Sequence, residues 1–171
     1  WDYLERKAVT KVLQGDYLNE YKTVREFEKK FAQFVGARYC ITVTSGTMAL
    51  YLALKSLYNK NIPKKINIPD YAGIFVGNAC IQAGISPVLC DVSENGSLNS
   101  NNKPRFVVHS NGRLGSVQLL EDCAQAIAHH TKNAISCYSF ASTKHITTGG
   151  QGGAICCDDQ KTFDILSRLK D

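Results

Sequence analysis

Two segments of this sequence combine side chains that could hold a small molecule or react with it. Lys144 lies just after the apolar-rich segment 135–140 and is flanked by hydroxyl side chains. A lysine amine can act as a nucleophile and as a base. Glu121 and Asp122 follow two leucines at the end of a predicted strand, where open α/β sheets place their ligands. A carboxylate in that position can pair with a cationic ring nitrogen.

Each of these residues also has an ordinary structural explanation. Lysine is among the residues least often buried, so an isolated Lys144 is usually a solvated surface charge. Glu121 and Asp122 could instead cap a following helix, as acids often do. Gln125, three residues after Asp122, would share that side of the chain if the segment is helical.

A third segment, Ser45-Gly46-Thr47, separates a β-branched run at 39–44 from a helical pattern. A small-residue turn before a helix leaves backbone N–H groups that attract phosphate, and the helix dipole adds to this attraction. An ordinary N-cap explains the same residues equally well. The glycine-rich run 149–153 lets the backbone turn tightly or approach a ligand, but it lacks the residue order of a P-loop.

The elements that must position these residues alternate along the chain. Strand patterns occur at 39–44, 65–68, 87–92, 105–109, 118–121, 135–140 and 154–157. Helical patterns occur at 2–14, 24–35, 47–60, 73–83 and 161–171. Strands that alternate with helices predict an α/β domain with a largely parallel sheet.

The link between the strand at 105–109 and the strand at 118–121 does not fit this scheme. Only about eight residues, SNGRLGSV, separate them. A crossover between parallel strands normally needs a dozen residues or more. Either the two strands are not parallel neighbours, or the helix that would join them is missing.

Composition argues against several classes of protein. The chain has 171 residues, enough for one domain, with 44% hydrophobic and 20% charged residues. Its Lys and Arg are scattered rather than clustered, which argues against a nucleic-acid partner. No stretch has the ~18 apolar residues of a membrane span, and no GxGxxG motif follows a predicted strand, as a dinucleotide-binding oxidoreductase would need. The seven cysteines form no CxxC motif and favour reduced core thiols in the cytoplasm.

In order, these motifs resemble one family closely. The stretches EFEKKFAQFVGARYCITVTSGTMALYLAL, IPDYAGIFVGNACIQAGISPVLCDV, LLEDCAQA and SFASTKHITTGGQGGAI are similar to the DegT/DnrJ/EryC1/StrS sugar aminotransferases, which depend on pyridoxal 5'-phosphate (PLP). The resemblance implies a three-layer α/β large domain of the aspartate aminotransferase superfamily. It implies that residues 1–171 form a single, incomplete PLP-binding domain and that the C-terminal small domain is absent.

The resemblance also implies a role for each site residue, and no metal. Lys144 would bind PLP covalently and later move the proton between the substrate carbon and the cofactor. Asp122 would pair with the pyridinium nitrogen, and Gln125 would lie against the ring near its phenolic oxygen.

The phosphate of the cofactor would have its own set of ligands. The resemblance assigns it the amides of Gly46 and Thr47, the Thr47 hydroxyl, and Ser139, which lies five residues before the lysine.

The chain departs from the family at the aromatic residue that stacks on the cofactor. After Pro69 the family usually has a Thr-Phe pair, and the matching positions here are Ala72 and Gly73. Either Tyr71 or Phe75 could substitute for the missing ring.

The expected function is transfer of an amino group from an amino acid such as glutamate to a nucleotide-linked keto sugar, in polysaccharide biosynthesis. The resemblance implies a homodimer. From the cysteines and the composition we expect it in the cytoplasm, with no membrane or nucleic-acid partner. The alternative is a truncated, non-catalytic PLP-binding or scaffold remnant of the family, which the missing aromatic and the short link favour.

Overall fold

The computed structural model describes residues 2–15, 22–57, 64–93, 106–115 and 119–171. The helices are α1 (Tyr3–Leu13), α2 (Lys22–Val35), α3 (Gly46–Leu57), α4 (Ile74–Gln82) and α5 (Gln160–Lys170). The strands are β1 (Tyr39–Val43), β2 (Lys65–Pro69), β3 (Ser86–Cys90), β4 (Phe106–Val108), β5 (Leu120–Asp122), β6 (Ile135–Ser139) and β7 (Gly153–Cys157). The polar, Asn/Ser-rich stretch 94–103, whose composition predicts a loop, lies outside the described residues. The α/β fold predicted from the alternation of elements is confirmed.

The main sheet has the strand order β1-β7-β6-β5-β4, and β2 pairs with β3 in a second, parallel ribbon. Strands β4, β5 and β6 are parallel to one another, while β7 runs antiparallel to both β1 and β6. Because β1 and β6 both run opposite to β7, the carboxyl ends of β1, β4, β5 and β6 lie at the same edge of the sheet. The turns that follow these strands therefore meet there.

Helices cover the sheet on both faces, which gives the predicted three layers. Inward residues of α3, α4 and α5 share one apolar cluster with Ile155 of β7. Its neighbour Cys156 points to the opposite face, where α2 packs. There the ring of Phe31 meets the Tyr138 ring edge-on, with 4.9 Å between centroids. Full burial of a side chain such as Phe31 contributes roughly 1.5–3 kcal/mol to stability. Phe34, three residues further along α2, is exposed.

The short link joins two strands that are parallel neighbours, so the second of the two alternatives is correct. Phe106 of β4 lies beside Leu120 of β5. In the described part of the link, residues 109–115 and 119, the chain forms a 3₁₀ turn at Ser110–Gly112 and no α-helix. Two backbone amides fix this segment: Gly115 N–H donates to His109 Nδ1 at 3.1 Å, and Asn111 N–H donates to the Gln125 side chain.

All seven cysteines are thiols, and six of them are buried. Burial raises the pKa of the Cys80 thiol to about 11, which keeps it protonated and unreactive at neutral pH. These thiols pack as small apolar side chains, as their strand-like settings predict. Among the described helices, none has the length and apolar character needed to cross a bilayer.

Candidate functional site

A cleft of about 270 Å³ opens at the edge of the sheet where the four carboxyl ends meet. This volume is close to the lower end of the ~300–1,000 Å³ typical of small-molecule sites. Its lining comes from the turn between β1 and α3, the end of β5, the end of β6, the turn after β6 and helix α4. The lining residues are Ser45, Gly46, Thr47, Leu50, Phe75, Asp122, Ala124, Ser139, Ala141, Thr143, Lys144 and Gln151.

The turn between β1 and α3 separates its capping residue from its candidate binding residues. Ser45 caps the helix: its Oγ accepts from the Met48 N–H at 3.1 Å, and its carbonyl accepts from the Ala49 N–H at 3.0 Å. The amides of Gly46 and Thr47 come before the first intrahelical bond, so the helix offers them no acceptor. Capping by Ser45 therefore leaves two N–H groups at the edge of the cleft.

Two glycines allow this turn to sit directly against the sheet. A Cβ atom at Gly46 would lie 2.7 Å from the Cβ of Ser139, and one at Gly153 would lie 2.5 Å from the carbonyl oxygen of Ser45. Both separations are shorter than non-bonded atoms allow, so neither position has room for a side chain. The close packing brings the Ser139 hydroxyl beside the helix N-terminus. The glycine-rich run that ends at Gly153 signalled a close approach, although the sequence did not reveal its partner.

Asp122 is the last residue of β5, and its side chain is only 5% exposed. Its carboxylate accepts a hydrogen bond from the Ala124 N–H at 2.9 Å. Burial raises the pKa of Asp122, while this hydrogen bond and the charge of Lys144 act in the opposite direction. A buried carboxylate whose ionised form is disfavoured gains most from a further cation or N–H donor in the cleft.

Lys144 is half-buried in the turn after β6, where its N–H donates to the carbonyl of Ala141 at 2.9 Å. The turn is closed by the Ser142 N–H, which donates to the Gly150 carbonyl at 3.1 Å. Lys144 lines the cleft together with Asp122, and its charge partly opposes the rise that burial causes in the pKa of that carboxyl. Its position in a concave site distinguishes it from an ordinary solvated surface lysine.

Gln125 lies outside the main cleft. It lines a small adjoining cleft of about 60 Å³ that also contains Phe75, Asp122 and Lys144. Its carbonyl oxygen accepts from the Asn111 N–H, so the side chain braces the β4–β5 link. Residues 123–128 form turns, so the helix considered for this segment is absent, and Asp122 does not cap one. Of the six residues to which the resemblance assigns a role, five therefore line the main cleft and one lies next to it.

Glu121 faces away from the cleft, on the opposite side of β5. Its fully buried carboxylate accepts from His109 Nε2 at 2.9 Å, from the Thr131 N–H at 2.7 Å and from the hydroxyls of Thr131 and Ser136. Burial alone would raise the pKa of Glu121, but these hydrogen bonds outweigh it and lower the pKa to about 2. From the sequence alone, Glu121 and Asp122 are both candidates for one site. Because side chains alternate along a strand, only Asp122 lines the cleft, and Glu121 lies on the opposite face.

His109, Glu121 and His129 bring three possible metal ligands within 4.8 Å of one another. The Gly115 N–H donates to Nδ1 of His109, so that nitrogen accepts and Nε2 has the proton. A protonated Nε2 donates to Glu121 and cannot bind a metal. The cluster is thus a hydrogen-bond network that ties the β4–β5 link to the sheet. No motif spacing could have revealed it, since its members are distant in sequence.

The sequence also left several lining residues without an assignment. Leu50, Ala124 and Ala141 line the cleft within three residues of a predicted site residue, and Gln151 lies in the glycine-rich run. Phe75, one of the two aromatic candidates, lines both clefts.

Known proteins resemble this chain over nearly its whole length. The sequence profile of the DegT/DnrJ/EryC1/StrS aminotransferase family matches residues 2–103 and 112–171. The spore coat polysaccharide biosynthesis protein SpsC of Bacillus subtilis (strain 168) is 30% identical over 196 residues, which cover 96% of this chain and 49% of that protein. The dTDP-3-amino-3,4,6-trideoxy-alpha-D-glucose transaminase of Micromonospora megalomicea subsp. nigra is 27% identical, over 99% of this chain and 55% of that protein.

A solved structure has the same fold. The crystal structure of ntda from Bacillus subtilis with bound cofactor PMP superposes with a TM-score of 0.82 at 20% identity, over 96% of this chain and 44% of that one. The chain spans about half the length of the curated relatives it matches. The gap in the profile match, at 104–111, covers β4 and the start of the short link. As the order of its motifs predicted, the chain belongs to the DegT/DnrJ/EryC1/StrS aminotransferase family.

Proposed function

We propose that this chain is the cofactor-binding part of a PLP-dependent aminotransferase that moves an amino group from an amino acid such as glutamate to a nucleotide-linked keto sugar. The observation on which this rests is that Lys144, Asp122 and the Gly46-Thr47 turn line one cleft. The transaminase of M. megalomicea acts on a dTDP-linked amino sugar, and the ntda structure contains PMP, which supports both the substrate class and the cofactor.

The donor set of the cleft fits PLP. A phosphate dianion needs N–H and O–H donors, which Gly46, Thr47 and Ser139 offer at a helix N-terminus. A cationic ring nitrogen needs a carboxylate, and Asp122 is buried in the cleft. An aldehyde needs an amine, and Lys144 lines the same cleft. When bound, PLP supplies the carbonyl carbon that accepts the amino group and a ring that withdraws electrons from the reacting carbon.

The residues of this chain hold the ring and move the proton. The Asp122 carboxylate would accept a hydrogen bond from the ring nitrogen and keep that nitrogen protonated. The Lys144 amine would hold PLP covalently and, once the amino donor has displaced it, would move the proton between the substrate carbon and the cofactor. Gln125 lines the adjoining cleft and is held by the β4–β5 link, so it would border the cofactor on that side.

A spectroscopic titration tests this function. Glutamate added to the PLP-loaded full chain is expected to remove the visible absorption of the lysine-bound cofactor. The absorption is lost because glutamate transfers its amino group to the cofactor. Asp122→Asn should slow this conversion by roughly 10- to 100-fold, since charged hydrogen bonds contribute about 1.5–3 kcal/mol. Stopped-flow absorbance measures both rates.

The alternative, a non-catalytic remnant of the family, predicts a different spectrum. It is favoured by the short β4–β5 link, whose described part contains no α-helix. A PLP-loaded chain whose visible absorption does not respond to glutamate or other amino donors would support the remnant. Such a result would contradict aminotransfer by this chain.

Residues 1–171 would form a single PLP-binding large domain, and we propose that it acts as a homodimer in the cytoplasm. Helix α1 supports the dimer: it buries no residue of its own, and Tyr3, Leu4 and Leu13 are each at least 65% exposed. Large exposed apolar side chains on one helix are typical of contact surfaces. The thiol state of the seven cysteines supports a reducing compartment.

Sedimentation equilibrium of the PLP-loaded chain tests the dimer. We expect twice the mass of one chain, and replacing Leu4 with glutamate should shift the equilibrium towards monomer. A stable PLP-loaded monomer at micromolar concentration would contradict this arrangement.

A further inference from the structure

We propose that Phe75 is the aromatic side chain that packs against the face of the cofactor ring, and that Gly73 is a glycine in order to make room for it. This inference rests on the proposed PLP function. It adds Phe75 as a positioning residue, two positions after the phenylalanine of the family's Thr-Phe pair. It also makes the role of Phe75 depend on the glycine at 73.

The position of Phe75 carries the first part of the inference. Phe75 lines the main cleft and the adjoining one, and both clefts also contain Asp122 and Lys144. These two residues are assigned to opposite ends of the cofactor ring, its nitrogen and its aldehyde. Among the described residues that line the main cleft, Phe75 is the only aromatic one. A flat ring held between Asp122 and Lys144 therefore has one aromatic neighbour available.

The backbone at Gly73 carries the second part. A Cβ atom there would lie 2.3 Å from Cζ of Phe75 and 2.7 and 2.8 Å from its two Cε atoms. The Phe75 ring thus folds back over Gly73 and occupies the space that a side chain would need. Gly73 has φ −57° and ψ 144°, a conformation open to any residue. Glycine is therefore required at 73 by the ring of Phe75 and not by the backbone.

The other aromatic candidate does not fit. Tyr71 is 44% exposed and is not among the residues lining either cleft. An aromatic residue at 73 would start where the Phe75 ring now lies, so positions 73 and 75 cannot both have large side chains. Compared with the family pattern, the aromatic residue lies two positions later, in the first turn of α4, and a glycine occupies the N-cap.

The exposure of Phe75 indicates that the ring has a free surface to offer. It is 46% exposed although it lines a concave site. Stacking of aromatic rings contributes about 0.5–1.5 kcal/mol beyond the area that it buries. Loss of the ring should therefore weaken PLP binding by roughly 3- to 10-fold.

The test compares PLP binding by the wild-type chain, Phe75→Leu and Phe75→Tyr. Titration with PLP, followed by visible absorbance, gives the dissociation constant, and visible circular dichroism reports how the ring is held. We expect Phe75→Leu to raise the dissociation constant by roughly 3- to 10-fold and to change the dichroism, while Phe75→Tyr keeps both near wild type. The unfolding midpoint of each PLP-free variant, expected to match wild type, separates this effect from a loss of fold.

A double-mutant cycle tests the coupling of the two residues. Gly73→Ala should weaken PLP binding in the wild-type background, because its Cβ displaces the Phe75 ring, and should have little effect in the Phe75→Leu background. Equal effects in both backgrounds would overturn the role of Gly73. A Phe75→Leu chain that binds PLP as tightly as wild type would overturn the role of Phe75 and leave the proposed function intact. A wild-type chain that does not bind PLP would overturn the proposed function, and this inference with it.

Discussion

Replacing Lys144 with alanine is expected to abolish the absorption band of the lysine-bound cofactor completely. That band requires a covalent bond between an amine and the cofactor aldehyde, and Lys144 is the only lysine among the described residues that line the cleft. The Gly46 and Thr47 amides and Asp122 remain in this variant, so PLP should still bind, but more weakly and with the spectrum of the free aldehyde. Absorbance after gel filtration, with the bound cofactor measured separately, distinguishes loss of the bond from loss of binding.

A second lysine provides the matched control for this experiment. Lys161 is exposed on α5, outside the cleft, and Lys161→Ala should keep the visible absorption of wild type. PLP reacts weakly with exposed amines on many proteins, so this control removes that background. A visible band that persists in Lys144→Ala at wild-type intensity would contradict the assignment of Lys144.

The second large expected effect is a loss of stability in acid, caused by Glu121 on the side of β5 that faces away from the cleft. The pKa of Glu121 is lowered from 4.5 to about 2 because hydrogen bonds from His109, Ser136 and Thr131 outweigh the effect of burial. A carboxyl whose pKa is lower in the folded state stabilises the fold above its unfolded pKa, near 4.5, and loses that contribution as the pH falls towards 2. A shift of this size corresponds to about 3 kcal/mol of unfolding free energy.

Urea denaturation between pH 7 and pH 2 measures this contribution. The wild-type chain should lose about 3 kcal/mol of unfolding free energy more than Glu121→Gln does across the interval from pH 4.5 to pH 2. At pH 7 the Gln variant should be the less stable of the two by a similar amount. Glu26→Gln, at an exposed position on α2, is the control and should follow wild type. Parallel stability profiles for wild type and Glu121→Gln would show that the carboxylate contributes nothing to the fold.

Much of the fold could be read from the sequence because local patterns and tertiary structure agree. The apolar run at β6 is a fully buried strand, and the β-branched run at β1 is a partly buried one. The apolar face of α2 packs on the sheet. The small-residue turn at Gly46 begins a helix, as small residues between a strand and a helical pattern predict. The strand ends gave the edge at which candidate site residues meet, since parallel strands bring their carboxyl ends together.

What the sequence could not provide depends on contacts between distant segments. The length of the β4–β5 link left two topologies open, and only the pairing of Phe106 with Leu120 decides between them. The role of Glu121 depends on which face of β5 it occupies and on His109, twelve residues away, bonded to it. The choice between Tyr71 and Phe75 depends on a steric relation to Gly73 that no pattern displays.

The most direct test of the central claim is to map the covalent attachment of PLP. Borohydride reduction of the PLP-loaded chain makes the bond to lysine permanent, and peptide mass spectrometry then identifies the modified residue. The proposed site predicts one stoichiometric pyridoxyl group, on the peptide that contains Lys144. Modification spread over surface lysines such as Lys161, with Lys144 unmodified, would contradict the proposed cofactor site.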